Sequence, residues 1–251
     1  MKLIPFYDDP SFDYKKYWQE RQYENLADQM ALKRLLKLVP GKASLIDIGA
    51  GFGRLAPVYH SQFKKCFLVD PSERMLNKAQ NKFKKKKNLK FIKAYVEKLP
   101  FEKEVFDVAL FIRIIHHLKS PPTALKEAAR TLKPGGFLVL EYANKLHTKS
   151  VLKALLKLDL KYLTDQTPLE VGPKRKGCIP FLNFHPHYIK NLLKKNGFKI
   201  TKTLSVSNLR NPLCKKILPL KILLFLEEII QVLRPPFFKG PSIFILAQKR
   251  A

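Results

Sequence analysis

The stretch Leu45-Ile-Asp-Ile-Gly-Ala-Gly-Phe-Gly53 decides the fold of this chain. An apolar run from Ser44 to Ile48 precedes the glycines and predicts a buried strand of a parallel sheet. From Arg54 to Ser61 apolar residues return at helical spacing, so the predicted order is strand, glycine loop and helix. Because glycine permits a positive φ and a close backbone approach, the loop predicts a ligand site. A simple tight turn between strand and helix is the alternative interpretation.

The spacing of these glycines distinguishes between kinds of ligand. A dinucleotide-binding loop reads Gly-x-Gly-x-x-Gly, but Arg54 stands where the last glycine of that pattern belongs. The pattern that begins at Asp47, Asp-x-Gly-x-Gly-x-Gly, resembles the first motif of class I S-adenosylmethionine-dependent methyltransferases. The carboxylate of Asp47 is able to accept hydrogen bonds from a cationic ligand end or from the loop amides. The spacing therefore argues against NAD as the ligand.

Other segments follow the loop in the same order as in that family. Asp70 ends an apolar run and stands 21 positions after Gly49, where a nucleoside-binding α/β fold places its acceptor for ribose hydroxyls. The segment from Tyr95 to Phe101 resembles the family segment that borders the adenine, although Tyr95 replaces its usual aspartate. A predicted helix followed by Lys133-Pro-Gly-Gly136 and an apolar strand is a further landmark. The agreement extends over about 100 residues, which makes chance unlikely as its origin.

The resemblance is to the methyltransferase type 11 group, and it implies both a fold and a cofactor. The implied fold class is α/β, with a Rossmann-like, seven-stranded and mostly parallel sheet, helices on both faces and an N-terminal helical lid. The implied cofactor is S-adenosyl-L-methionine, with its methionine end on the glycine loop, its ribose at Asp70 and its adenine near Val96. The candidate cofactor-binding residues are Asp47, Gly49, Ala50, Gly51, Gly53, Asp70, Pro71, Met75, Val96, Glu97 and Arg113.

Histidines supply the candidates for catalysis and for metal binding. His116 and His117 follow the predicted fourth strand and resemble the His-His-Leu stretch of the type 11 group. Because histidine can remove a proton near neutral pH, His116 is the candidate catalytic residue, and no other is identified. A structural role for the pair is the alternative. His185 and His187 lack a nearby acidic or cysteine partner, so they predict a helix start and no metal.

The rest of the chain predicts an organisation around this core. Residues 1–40 are predicted to form a helical segment that lies over the cofactor, with Arg21 as a candidate contact, or that simply packs on the core. Residues 41–145 are predicted to bind the cofactor. Residues 146–251 would complete the domain, with a loop at 164–180 that covers the acceptor and a helical insertion at about 208–240 before the last strand.

Composition limits the partners and the location of the chain. The net charge is +28, yet only 10 of the 48 basic residues are arginines, which weakens the prediction of a specific nucleic-acid site. Three cysteines without disulfide or zinc spacing, and an N-terminus without a signal-peptide pattern, predict a cytoplasmic protein. The apolar stretch Leu213–Leu233 contains charges and a proline, so we predict no transmembrane segment. Contact with a membrane surface, or a roof over an apolar pocket, stays open.

These patterns predict an enzyme that transfers a methyl group to an undetermined acceptor. A small molecule or a lipid-like or quinone-like compound fits the apolar C-terminal half. A tRNA base, favoured by the positive charge, is one alternative. A protein that binds the cofactor without catalysis is another.

Overall fold

A computed structural model describes residues 14–172, 181–233 and 239–250 of the chain. Outside these residues lie residues 1–13 of the predicted N-terminal helical segment, residues 173–180 of the predicted acceptor-covering loop, which include Cys178, and residues 234–238 of the predicted helical insertion. The strands are β1 (Ser44–Ile48), β2 (Lys65–Asp70), β3 (Leu89–Lys93), β4 (Phe106–Phe111), β5 (Leu132–Ala143), β6 (Leu169–Val171), β7 (Phe181–Asn183), β8 (Phe198–Val206) and β9 (Ser242–Lys249).

Seven of these strands form one sheet in the order β3-β2-β1-β4-β5-β9-β8, and β6 pairs with β7 in a separate antiparallel hairpin. Strand β9 runs antiparallel to its neighbours β5 and β8, whereas the other pairs of the sheet are parallel. The predicted seven-stranded, mostly parallel sheet is therefore confirmed. The small hairpin was not predicted from the sequence.

Helices cover both faces of the sheet. They are α1 (Tyr14–Gln19), α2 (Gln22–Leu36), α3 (Ala56–Tyr59), α4 (Glu73–Phe83), α5 (Pro121–Thr131), α6 (Thr148–Leu156), α7 (Leu160–Thr164), α8 (Pro186–Lys195), α9 (Pro212–Ile217) and α10 (Leu220–Leu233). Helices α9 and α10 lie between β8 and β9, so helices do precede the last strand, as predicted. None of the helices in the described ranges is long and apolar enough to cross a membrane.

Two apolar cores explain why the central strands read as continuous hydrophobic runs. Neighbouring residues of a strand point to opposite faces, so Leu45 enters one core and Ile46 enters the other. The first core includes Leu35 of α2, and the second includes Leu125 of α5. A parallel strand buried on both faces cannot show the alternating pattern of a half-exposed strand.

Three elements differ from their predicted boundaries. Helix α3 is confined to Ala56–Tyr59, shorter than predicted, and β5 already begins at Leu132. The apolar residues from Val151 to Leu163 recur at helical spacing, which predicts one helix, but the structure has two, α6 and α7. At the division, Leu158 has a φ of 56°, a left-handed conformation that interrupts a helix. Asp159 then caps α7, because its carboxylate accepts a hydrogen bond from the amide of Tyr162 at 3.0 Å.

Candidate functional site

The glycine loop lies at the carboxyl end of β1, where open α/β sheets bind ligands. Gly49, Gly51 and Gly53 have φ values of 73°, 55° and 70°, which side-chain-bearing residues rarely adopt. A Cβ on Gly49 would overlap Ile114, and a Cβ on Gly53 would lie 2.8 Å from the ring of Phe83. The loop therefore requires glycine for its conformation and for its close packing on neighbouring segments.

Asp70, at the end of β2, holds this loop in place. Its buried carboxylate accepts hydrogen bonds from the amide of Gly51 at 2.8 Å and from the amide of Ser72 at 2.9 Å. The amides of Gly49 and Ala50 donate instead to the carbonyl oxygen of Val69, at 2.8 and 3.1 Å. A carboxylate has about four lone-pair positions, so it is a group that can accept several hydrogen bonds at once.

Asp47 is placed differently from what the sequence suggests. The hydroxyl of Tyr59 donates a hydrogen bond of 2.7 Å to its carboxylate, within the interior below the loop. Burial raises the pKa of Asp47 to about 7, although Tyr59 and the charge of Arg54 both lower it. Asp47 was predicted as an acceptor for loop amides. The loop amide of Gly51, however, donates to Asp70.

Other candidate cofactor residues follow β2 and β3. Met75 is buried in the first turn of α4, where its amide donates to the capping hydroxyl of Ser72 at 3.2 Å, and Pro71 before this cap is half-buried. After β3, Val96 is buried and Glu97 is exposed. The amide of Ala94 donates to the carbonyl of Asp70 at 3.3 Å, so the two strand ends lie side by side.

Arg113 belongs to a buried ion-pair network that the sequence did not reveal. It has a φ of 64°, and its guanidinium donates to both carboxylate oxygens of Asp28, at 3.1 and 2.8 Å. Arg54 contacts the same carboxylate at 3.0 Å and lies over the ring of Trp18, 3.8 Å from its centre. Asp28 is fully buried. It thus joins α2 to the glycine loop and to the segment after β4.

Glu141, a fully buried residue of β5, continues this network toward His116. It accepts hydrogen bonds from the hydroxyl of Ser242 at 2.6 Å and from the amide of Arg113 at 3.0 Å. Its second carboxylate oxygen lies 4.0 Å from Nδ1 of His116, beyond hydrogen-bond distance. Burial raises the pKa of Glu141. Sequence reasoning missed this residue, although a lone acid in an apolar strand is a visible signal.

His116 lies in an apolar and aromatic setting. Its ring centre is 4.3 Å from that of Phe181, the first residue of β7, and its Nδ1 has no hydrogen-bond partner among the described residues. Burial, together with the charges of His117 and Arg113, lowers the pKa of His116 well below its usual value. His116 is therefore neutral at pH 7, and its Nδ1 is able to accept a proton. Its low pKa limits its strength as a base.

Tyr14, in the first turn of α1, lies over the glycine loop. Its Cε1 would be 3.6 Å from a Cβ built on Gly51, and its ring meets Phe52 edge to face with centres 5.7 Å apart. Burial raises the pKa of Tyr14, so its hydroxyl stays protonated. Arg21 lies instead over the ring of Tyr17, at 4.4 Å. The N-terminal segment thus reaches the loop through Tyr14, and a contact of Arg21 with the cofactor stays a prediction.

His185 and His187 have a structural explanation. Nδ1 of His185 accepts a hydrogen bond of 3.1 Å from the amide of His187 and caps α8, which agrees with the predicted helix start. Its Nε2 lies 3.2 Å from the carbonyl oxygen of Leu163. Across the described parts of the chain, no three His, Cys, Asp or Glu side chains are grouped to hold a metal ion.

Comparisons with known proteins agree with this geometry. A family profile of type 11, described as a methyltransferase domain, matches residues 46–140. The demethylmenaquinone methyltransferase of Protochlamydia amoebophila is 36% identical over 173 residues, which cover 62% of this chain and 69% of that protein. An uncharacterized methyltransferase of Schizosaccharomyces pombe is 31% identical over 123 residues, 45% of this chain and 44% of that protein.

A solved structure extends the comparison to nearly the whole fold. An S-adenosylmethionine-dependent methyltransferase from Thermotoga maritima superimposes with a TM-score of 0.59 and 20% identity. The superposition covers 94% of this chain and 96% of the other. At this level of identity the likeness establishes the fold alone.

Proposed function

Because the chain belongs to the class I S-adenosylmethionine-dependent methyltransferases, we propose that it methylates a lipid-like or quinone-like small molecule. One observation carries the cofactor part of this proposal: the buried carboxylate of Asp70, at the end of β2, accepts a hydrogen bond from the glycine loop and so lies directly beside it. The acceptor part is supported by the ring of Phe181 beside His116 and by the relative named as a demethylmenaquinone methyltransferase.

In the proposed cofactor site, the residues of this chain bind the cofactor and orient it. The backbone of the glycine loop, at Gly49, Gly51 and Gly53, would approach the methionine end, with Ala50, Asp47 and Arg113 nearby. Asp70 accepts hydrogen bonds from the ribose hydroxyls. The adenine lies against a group of residues beyond β2 and β3, namely Pro71, Met75, Val96 and Glu97. S-adenosyl-L-methionine would supply a methyl group on a positively charged sulfur, which is electrophilic as bound.

We extend the proposal to the organisation of the chain. Within residues 1–40, the described part from Tyr14 onward forms a cover, and the contact of Tyr14 with the surface of Gly51 supports this role. Residues 41–145 hold the cofactor. Residues 146–251 complete the sheet and shape the acceptor side, with the helical insertion at about 208–240 represented by α9 and α10. Enclosure of the two reactants by such segments favours transfer by fixing their orientation.

His116 is the proposed proton acceptor for an acceptor molecule that must lose a proton. Its unpartnered Nδ1 is available for a proton, and the carboxylate of Glu141 lies 4.0 Å away. A negative charge at that distance in a buried site stabilises the imidazolium that would form. Phe181 supplies an apolar surface on the other side of the ring.

Nucleic acid is a weaker choice of acceptor. Guanidinium groups give the specific contacts to phosphates and bases, but several arginines of this chain are occupied by its own carboxylates. These are Arg34, Arg54, Arg113 and Arg130. The proposed reaction takes place in the cytoplasm.

The test supplies tritiated S-adenosyl-L-methionine to the purified protein together with either a lipid extract or total RNA of the same cells. We expect the label in the lipid fraction. His116→Ala should lower the transfer rate about 100-fold, whereas His60→Ala, beyond α3, should leave it unchanged. Label in RNA but not in lipid would overturn the proposed acceptor class.

A further inference from the structure

Helix α10 has its polar and apolar faces reversed relative to an ordinary surface helix. Glu227 and Gln231 are completely buried on its inner face, together with Leu223. Its outer face is apolar and exposed, with Phe225 having 63% of its surface accessible. The other exposed apolar residues of this face are Ile222, Ile229, Val232 and Leu233. Single exposed apolar residues are ordinary, but a continuous apolar face marks an interaction site.

A buried hydrogen-bond network fixes this orientation. The carboxylate of Glu227 accepts from the hydroxyl of Tyr23 at 2.6 Å and from the amides of Ser207 and Asn208 at 2.8 and 3.0 Å. Gln231 donates to the carbonyl oxygen of Ala27 at 3.3 Å and to Glu227 at 3.0 Å. Rotation of α10 to bury its apolar face would leave these donors without their acceptor. The outward apolar face is therefore a fixed feature of the fold.

Helix α9, which contacts α10, and helices α6 and α7 also expose apolar side chains. On α9 these are Leu213 and Ile217. Along α6 and its junction with α7, five leucines are exposed, namely Leu152, Leu155, Leu156, Leu158 and Leu160. The amide of Thr148, the first residue of α6, donates to the carbonyl of Lys239, in the segment that returns from α10 to β9, at 2.9 Å. We call these exposed side chains on α6, α7, α9 and α10 the apolar rim.

Lysines are interleaved with the leucines of the rim. Lys149, Lys153, Lys157 and Lys161 recur every four residues along α6 and α7, and all are exposed. Lys216 and Lys221 are exposed on α9 and α10. Helices that lie in a membrane surface combine outward apolar side chains with lysines whose long stems reach the headgroups.

We propose that the apolar rim binds the surface of an anionic lipid bilayer. Its apolar side chains would enter the acyl boundary, and its lysines would meet the lipid phosphates. A second copy of the chain is a poor occupant, because each copy carries a net charge of +28 and the two would repel. RNA would be attracted by the lysines but gains nothing from exposed leucines and isoleucines. The inference holds whatever the methyl acceptor is.

The experiment is sedimentation of the full chain with vesicles of phosphatidylcholine alone or of phosphatidylcholine mixed with phosphatidylglycerol. We expect binding to the mixed vesicles that weakens as salt increases. Phe225→Ser together with Ile229→Ser should lower the partition coefficient at least tenfold. Tyr95→Ser, an exposed aromatic change just beyond β3 at the opposite edge of the sheet from β8, should leave it unchanged.

A second pair of variants tests the charge. Lys153→Glu with Lys157→Glu should weaken binding to the mixed vesicles by at least about 30-fold, because each lysine near an anionic surface contributes about 1 kcal/mol. Lys84→Glu with Lys85→Glu makes the same charge change after α4, at the opposite edge, and should have little effect. Thermal unfolding verifies that each variant is folded.

Three results would overturn the inference. One is a lack of wild-type binding to the mixed vesicles. Another is equal loss of binding in the rim variants and in their matched controls. The third is a dimer in light scattering that the Phe225 and Ile229 substitutions dissociate, since the rim would then bind a second copy.

Discussion

The glycine-loop edge and helix α10 use buried carboxylates in opposite ways. At the loop edge, Asp70 accepts hydrogen bonds from the amide of Gly51 in the glycine loop and from the amide of Ser72 beyond its own strand. In α10, the carboxylate of Glu227 accepts hydrogen bonds from partners inside the protein, and the apolar side chains of the helix point outward. The first arrangement holds the loop at which we propose that the cofactor binds. The second keeps apolar side chains at the surface, where we propose that they bind a lipid bilayer.

The strongest way to break this comparison is to remove the carboxylate of Glu227. Glu227→Ala leaves the hydroxyl of Tyr23 and the amides of Ser207 and Asn208 without an acceptor, so the free energy of unfolding should fall by about 3–5 kcal/mol. Urea unfolding measures this loss. Glu228→Ala is the matched control, since Glu228 has the same side chain but an exposed pair with Arg34, and it should change stability by less than about 1 kcal/mol.

Asp47, a third buried carboxylate, extends the comparison to the way in which the free energy of unfolding depends on pH. Its folded-state pKa of about 7 exceeds the ordinary value of 3.8, so the folded chain binds a proton that the unfolded chain releases between these values. The contribution of Asp47 to stability is therefore present at low pH and lost as the pH rises through about 7. Asp47→Asn should remove this dependence, which is worth on the order of 2–4 kcal/mol.

Urea unfolding at pH 5 and pH 8 checks the expectation for Asp47. Wild type should lose more stability than Asp47→Asn between the two conditions. Parallel changes in the two proteins would show that Asp47 ionises normally in the folded chain.

Tyr14 tests the cover over the loop, with a smaller expected effect. Tyr14→Ala removes a ring that lies against Gly51 and Phe52, and affinity for S-adenosylhomocysteine should fall about tenfold. Tyr14→Phe keeps the ring and should bind within about threefold of wild type. Equal affinities of the Ala variant and wild type, measured by calorimetry, would mean that the N-terminal helix does not cover the ligand.

The sequence predicted the parts of the molecule that depend on local patterns. Apolar runs and glycines located β1 and β2, and the interval between Gly49 and Asp70 placed the acid beside the loop. Glu227 and Glu228 show the limit. They are identical neighbours in an apolar helix, yet one is fully buried and the other is exposed.

What separates these two glutamates is Tyr23, 204 positions away from Glu227 in the chain. Asp28 and Glu141 were missed for the same reason, because their arginine partner lies in another segment. The spacing of Leu223, Glu227 and Gln231, four residues apart, was the one available signal of a shared inner face.

Calorimetric titration with S-adenosylhomocysteine tests most directly whether the glycine-loop edge is the cofactor site. We predict binding of one molecule per chain to wild type, and an affinity about 100-fold lower for Asp70→Ala, which loses a charged acceptor. NADH should not bind. Unchanged affinity in Asp70→Ala, or binding of NADH in place of S-adenosylhomocysteine, would contradict the assignment of this edge.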